Sequence, residues 1–332
     1  MKKTSITVLG AGSWGTALAI LLAKNSHRVI LWGRNKEKIS AMHKASENTF
    51  FLAGIPFPQT LTPSSDLKYA LLQSDELLVV VPSHAFRDTL LQVKQIKPKL
   101  KSISWATKGL EPQTHQLLHS VVEEIFPQLK KCAVISGPTF ATEVAQGLPT
   151  AVTIASNNAD YAQQLSNLLC NSTFRPYITH DIIGLEIGGA AKNVMAIGAG
   201  IIDGLGYGAN ARAALITRGL HEIACLSKKM GGKKHTMMGL SGLGDLLLTC
   251  TDNQSRNRRM GLAIGAGKSI KQAEEEIKQV VEGVYAAQQL HSLSQDLNIE
   301  LPIIDQVYQV LFKNLTPQQA AQNLLTRTYK AE

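Results

Sequence analysis

Ile6-Thr7-Val8-Leu9-Gly10-Ala11-Gly12-Ser13-Trp14-Gly15, followed by Thr16-Ala17-Leu18-Ala19, carries an apolar strand into closely spaced glycines and out again as a helix. The glycines follow the G-x-G-x-x-G pattern, in which each has its own task. Gly10 permits a tight turn, Gly12 lets backbone approach a phosphate without an intervening Cβ, and Gly15 lets helix and strand pack closely. The helix start offers N–H groups and partial positive charge to an anion. A glycine turn without a ligand would share the pattern, but here a strand precedes it, a helix follows, and a second strand arrives at Arg28 to Trp32. The stretch therefore reads as a dinucleotide site.

Outward from this turn, short apolar segments alternate with helical ones. Leu77 to Val81, Ser102 to Trp105, Ala133 to Ile135 and Ala151 to Ile154 read as strands, with a further one at Phe174 to Ile178. Gln113 to Phe126 and Asp160 to Cys170 read as helices. Such alternation predicts an α/β fold, a Rossmann-like doubly wound parallel sheet. From about Gly184 the pattern changes to long helical runs, so a dinucleotide-binding domain over 1–183 and an all-helical substrate or catalytic domain over 184–332 are expected. Gly and Ala crowd the segment Gly184 to Gly204, which lowers helix propensity and permits close packing. Thr316-Pro317-Gln318-Gln319 reads as a capping box with proline at the first helical position.

The chain has 332 residues, 44% of them hydrophobic, enough for two cores, and a formal charge of +9. Because basic residues occur only in short pairs such as Lys130-Lys131 and Lys233-Lys234, the charge points to anionic small molecules rather than nucleic acid. Cys132, Cys170, Cys225 and Cys250 are scattered, which predicts neither a zinc site nor a disulfide framework and suits reduced thiols in the cytoplasm. No signal peptide is read at the amino terminus. No apolar stretch approaches the ~18 residues that span a bilayer, so no membrane insertion is expected.

Past the second strand the chain reads Leu31-Trp32-Gly33-Arg34, where an NAD-selective site usually places an acid ~20 residues beyond the glycines. An arginine there removes repulsion against a 2′-phosphate and offers it a bidentate donor, which favours NADP(H), with NAD(H) also open. Arg34 as a surface residue, or stacked on adenine, is the other reading. Lys192, in Gly188-Gly189-Ala190-Ala191-Lys192-Asn193, is a charge inside an apolar helical stretch. It suits a proton donor at a carbonyl oxygen, or a lysine that merely snorkels. Asp245 closes Gly239-Leu240-Ser241-Gly242-Leu243-Gly244 and can also cap a helix. Thr251-Asp252-Asn253-Gln254-Ser255-Arg256-Asn257-Arg258-Arg259 groups hydroxyl, amide and guanidinium donors suited to a phosphate monoester, or forms a solvated loop. Thr107-Lys108-Gly109-Leu110 and Ser136-Gly137-Pro138-Thr139-Phe140-Ala141 follow strands, where open α/β sheets bind ligands. No motif calls for a metal. His84, in Val81-Pro82-Ser83-His84, reads as structural.

Taken together, GAGSWG from Gly10, LWGR ending at Arg34, VPSH from Val81, TKGL from Thr107, SGPTFATEV from Ser136, AAKNVMAIGAG from Ala190, GLGDLLLTCT from Gly242 and SRNRRMG from Ser255 resemble the bacterial-type NAD(P)-dependent glycerol-3-phosphate dehydrogenases, over nearly the whole chain. The resemblance implies reversible reduction of dihydroxyacetone phosphate to sn-glycerol 3-phosphate, which feeds phospholipid synthesis. It implies Lys192 as the catalytic residue and Lys108, Gly137, Thr139, Asp245, Ser255, Arg256 and Asn257 as substrate residues. Around the dinucleotide it implies Gly10, Gly12, Ser13, Trp14, Gly15, Arg34, Lys108, Ala141 and Arg256, with Val280 and Glu282 from the Val280-Val281-Glu282-Gly283 segment. At Thr139 similar eukaryotic enzymes carry Asn, so the resemblance does not imply an identical substrate hydrogen bond there. A homodimer is left open. A 3-hydroxy acid or 6-phosphogluconate-type dehydrogenase, or a non-catalytic NADPH sensor, would share the same architecture.

Overall fold

The computed structural model describes residues 3–327. By compactness the chain forms two units, the first of Met1–Glu111 with Gln116–Leu185 and the second of Pro112–His115 with Glu186–Glu332.

The first unit is built on an eight-stranded sheet. Its order from one edge to the other is Phe174–Thr179, Thr150–Ser156, Cys132–Ser136, Ile103–Trp105, Glu76–Val79, Ser5–Leu9, Arg28–Trp32 and Leu61–Ser64. The strand that leads into the glycines is interior, and chain order departs from it in both directions, as a dinucleotide site requires. Alternation along the strands explains the layers. Ile6, Val8, Val29, Leu31, Leu78, Ala133 and Ile135 face one core, which the helix Ser13–Lys24 covers with Ala17 to Ala23. Leu9, Ile30, Trp32, Leu77, Val79, Cys132 and Val134 face the other, covered by Phe86, Leu90 and Val93 of the helix Phe86–Ile96 and by the helix Leu118–Ile125. Burial on both faces is why these strands read as continuous apolar runs.

The structure differs from the sequence reading at four places in this unit. The sheet is mixed: Cys132–Ser136 pairs antiparallel with Thr150–Ser156, while the other ladders of the sheet are parallel. The connection between those two strands leaves and returns at the same sheet edge, which keeps Gly137 and Thr139 beside the other carboxyl-end loops. Leu61–Ser64 is an additional edge strand, hidden by its brevity and by Pro63, which an edge tolerates. A small antiparallel hairpin joins Glu47–Asn48 to Leu52–Pro56. The helix expected from Gln113 begins only at Leu118, because residues 113–117 are irregular.

The second unit is helical, and its long members include Ile182–Gly204, Gly208–Lys229 and Glu282–Asp296. Ile182–Gly204 is long and apolar enough to cross a bilayer, contrary to the sequence reading, yet 89% of its most apolar window is buried inside the protein. Its glycines explain the close packing. A Cβ at Gly200 would lie 2.2 Å from the Arg258 carbonyl oxygen, and one at Gly261 would lie 2.0 Å from that of Ile197, so this helix and Arg256–Gly265 meet backbone to backbone. Thr316 caps Pro317–Leu325 by accepting from Gln319 N at 3.1 Å. The reciprocal half of the expected box is missing, because the Gln319 amide donates to Asn323 instead. A two-way box forms at Ser269 and Gln272. All four cysteines are free thiols.

Candidate active site

In the first unit the three glycines of the turn meet different constraints. Gly10 has φ +120°, and a Cβ there would stand 2.6 Å from the Val80 carbonyl oxygen. A Cβ at Gly15 would stand 1.8 Å from the Gly10 carbonyl oxygen, so strand and helix approach only without a side chain. At Gly12 nothing in the protein lies within 4 Å of the Cβ position. A side chain there would meet open space and not packed atoms. No side chain caps the helix Ser13–Lys24, so the opening of this helix offers its first-turn amides to an anion. The residues therefore fit a pyrophosphate. Trp14 packs against the core while its indole Nε1, buried, has no hydrogen-bond partner. Arg34 is exposed just past the strand Arg28–Trp32.

At the same carboxyl edge, Lys108 Nζ donates to the Gly137 carbonyl oxygen at 3.5 Å, and the Thr139 hydroxyl donates to that oxygen at 3.2 Å. Three expected substrate residues thus gather around one peptide. Ala141 opens the helix Ala141–Gln146 and packs against the same core as Ala11 and Trp14.

In the second unit Lys192 is 5% exposed and Asp245 is fully buried, and the Lys192 ammonium donates to Asp245 Oδ1. It donates also to the Thr249 hydroxyl at 3.0 Å, which in turn donates to the Asp245 carbonyl oxygen at 2.6 Å. Asp245 opens the helix Asp245–Thr251, one turn before Thr249, so both acceptors stand on one face. A π-helical turn, Leu240–Gly244, aims this helix. Its close contact with the lysine's own helix depends on Gly188, where a Cβ would lie 2.6 Å from the Ser241 carbonyl oxygen. Burial pushes the neighbouring Cys250 thiol up to about 12 despite the charges of Lys192 and Arg258, which keeps it protonated.

The Ser255 hydroxyl accepts from Arg258 N at 3.2 Å and caps the helix Arg256–Gly265. Arg256 is partly exposed, with Nη1 3.3 Å from Gln279 Oε1 beside the exposed Val280. Asn257 bridges two segments with its amide: one hydrogen of Nδ2 goes to Asn193 Oδ1 and Oδ1 accepts from Gly283 N, each at 2.9 Å, while an amide nitrogen has a second hydrogen to donate. Glu282 opens the helix that contains Gly283.

Comparison with known proteins places these two units together in one family. The N-terminal profile of NAD-dependent glycerol-3-phosphate dehydrogenase matches residues 5–162, and the C-terminal profile matches residues 181–322. The chain belongs to the NAD-dependent glycerol-3-phosphate dehydrogenase family. It is 52% identical over 328 residues to a glycerol-3-phosphate dehydrogenase [NAD(P)+] of Colwellia psychrerythraea, covering 98% of each chain. To that of Haemophilus ducreyi it is 53% identical, again over 98% of each. The crystal structure of glycerol-3-phosphate dehydrogenase from Coxiella burnetii superposes with a TM-score of 0.95 at 48% identity, covering 98% of this chain and 99% of that one.

Within this member of the glycerol-3-phosphate dehydrogenase family, two residues that sequence reasoning passed over, Thr249 and Asn193, and a third, Arg258, that it read only as one donor in a polar run, shape the second unit. Thr249 contacts Lys192 directly, and its spacing of one turn from Asp245 was the available signal. Asn193, next to the lysine, holds Asn257. Arg258 is buried, donating from Nε to the Cys250 carbonyl oxygen at 3.1 Å, from Nη1 to Asn253, and from Nη2 to Asp203 at 2.5 Å. Nothing in the sequence separated it from its neighbour Arg256.

Proposed function

We propose that the protein reversibly reduces dihydroxyacetone phosphate to sn-glycerol 3-phosphate with NAD(P)H, in the cytoplasm, as a source of glycerol 3-phosphate for phospholipid synthesis. The observation that carries this reading is the buried Lys192 ammonium, directed by Asp245 and Thr249, in a chain whose relatives are glycerol-3-phosphate dehydrogenases along their whole length. Four free, scattered cysteines suit a reducing compartment. A homodimer is the proposed assembly.

The nicotinamide supplies a hydride when bound, and the turn Gly10 to Gly15 with Arg34 and Ala141 would hold its dinucleotide. Lys192 acts at the C2 oxygen. Paired with the Asp245 carboxylate, Lys192 donates from Nζ a hydrogen bond to the carbonyl oxygen and then a proton as that oxygen becomes a hydroxyl. In the reverse direction it takes the proton back. The Asp245 carboxylate and Thr249 hydroxyl orient the ammonium so that no reorganisation is needed at the moment of transfer. Lys108, Gly137 and Thr139 position the substrate, and Ser255, Arg256 and Asn257 serve its phosphate, whose binding orients the reacting carbon. Arg256, Val280 and Glu282 are assigned also to the dinucleotide.

The test compares dihydroxyacetone phosphate with unphosphorylated dihydroxyacetone and with 2-oxo and 3-oxo acids as oxidants of NADPH and NADH. Preference for the phosphorylated ketone supports the proposal. Turnover of an oxo acid instead, or binding of NADPH without oxidation by any of them, removes it.

A further inference from the structure

The hairpin from Glu47 to Pro56 has no role in the chemistry above, yet its first residues are tied to the glycine turn. Asn48 is fully buried. Its Nδ2 donates to the Ala11 carbonyl oxygen at 3.1 Å, inside the turn, and to Thr16 Oγ1 at 2.8 Å, on the helix that follows. Its Oδ1 accepts from Phe51 N at 3.2 Å, and the Phe51 carbonyl oxygen accepts from the Ser13 hydroxyl at 2.8 Å. The far end of the hairpin is closed by Gly54 N on Glu47 Oε2 at 3.2 Å and by Phe57 N on the Ser46 carbonyl oxygen at 2.7 Å. Lys38 lies over the Phe51 ring, 4.5 Å from its centroid. One amide thus bridges both sides of Gly12, the glycine whose surroundings are open, and a second link returns from the hairpin to Ser13.

We propose that Asn48 is a positioning residue for the dinucleotide: it clamps the peptide of Ala11 and the first turn of the helix so that the pyrophosphate cradle is formed before the ligand arrives. The glycines themselves cannot do this, because they supply space and no side-chain contacts. Pre-forming the cradle lowers the ordering cost of binding. Since both nicotinamide dinucleotides share the pyrophosphate, the clamp acts on them equally, in contrast to Arg34. The proposal rests on the dinucleotide part of the functional reading alone.

The experiment is calorimetric titration of Asn48→Ala with NADPH and with NADH, on protein whose fold is verified by circular dichroism, so turnover of any substrate is not needed. Loss of the bridging amide predicts about a tenfold higher Kd for both dinucleotides, by the same factor. In steady state KM for the dinucleotide rises while kcat at saturating dinucleotide stays. Ser13→Ala, which cuts only the link to Phe51, predicts a smaller rise shared by both, and decides the matter if Asn48→Ala does not fold. Unchanged Kd values in the folded variant, or a loss confined to NADPH, overturn the proposal. Failure to turn over dihydroxyacetone phosphate would count against the functional reading and leave these titrations intact.

Discussion

Lys192 and Asp245 form an ion pair with almost no exposure, and such a pair responds to its two single deletions differently from its double deletion. Lys192→Met removes the ion-pair partner of a carboxylate that has no solvent access, and Asp245→Asn removes that of an ammonium that is 5% exposed. Breaking a buried pair in this way costs about 3–5 kcal/mol each time. Against a total stability of about 5–15 kcal/mol, each single variant loses a large share of it. The double variant has no stranded charge, and what remains is a buried amide with fewer partners, about 1–3 kcal/mol. The two singles together predict at least about 6 kcal/mol and the double at most about 3, so the coupling is about 3 kcal/mol or more. Urea denaturation of the wild type, both singles and the double gives all four values. Additive single effects would contradict the pairing, because two groups that do not compensate each other's charge would lose independently.

Three further outcomes follow from the geometry. Gly12→Ala folds with an unchanged melting temperature but loses affinity for both dinucleotides, whereas Gly15→Ala, with its Cβ 1.8 Å from a carbonyl oxygen, is destabilised before any ligand is added; melting curves with and without NADPH separate the two. Arg34→Ala weakens NADPH by about tenfold, the scale of one charge-assisted contact, and NADH little; equal losses in titration remove the 2′-phosphate role. The third concerns Glu222, buried on the helix Gly208–Lys229, which accepts from Ile303 N at 2.8 Å and Ile304 N at 3.3 Å. Burial raises its carboxyl from 4.5 to about 7, against those two hydrogen bonds and the charges of Arg327 and Arg218. The folded state then holds a proton that the unfolded chain has released, so this group makes stability fall as pH rises from about 4.5 to about 7. Glu222→Gln flattens that slope in denaturation midpoints taken across the range, and parallel curves for variant and wild type would contradict the assignment.

Much of the first unit was legible because its strands are buried on both faces and so write themselves as short apolar runs between polar helices. Arg28–Trp32 is an instance in which strand bounds and sequence pattern coincide. The antiparallel return of Thr150–Ser156 was not legible, since a strand's direction leaves no trace in a pattern of alternating burial. Leu61–Ser64 and the Asn48 hairpin escaped for another reason: they are short, contain polar or proline residues, and owe their form to contacts far away in the chain. In the site, Lys192 and Asp245 stood out as charges in apolar surroundings. Thr249 did not, because a threonine on a helix is ordinary until its hydroxyl is seen between an ammonium and a backbone carbonyl. Asn257 was read as a phosphate donor from its polar run and from the family motif, and the structure adds that its amide already spans Asn193 and Gly283. The hydrogen-bond partners of an amide are set by tertiary packing, which a local motif does not encode.

In the proposed reaction Lys192 serves the C2 oxygen. A single-turnover measurement of NADPH oxidation by dihydroxyacetone phosphate, on wild type and on Lys192→Met at saturating dinucleotide, tests it most directly. The expected result is a rate lower by about a hundredfold or more, the scale of a lost general acid, with the Kd for NADPH unchanged. A variant that folds, binds NADPH and oxidises it at the wild-type rate would contradict the claim.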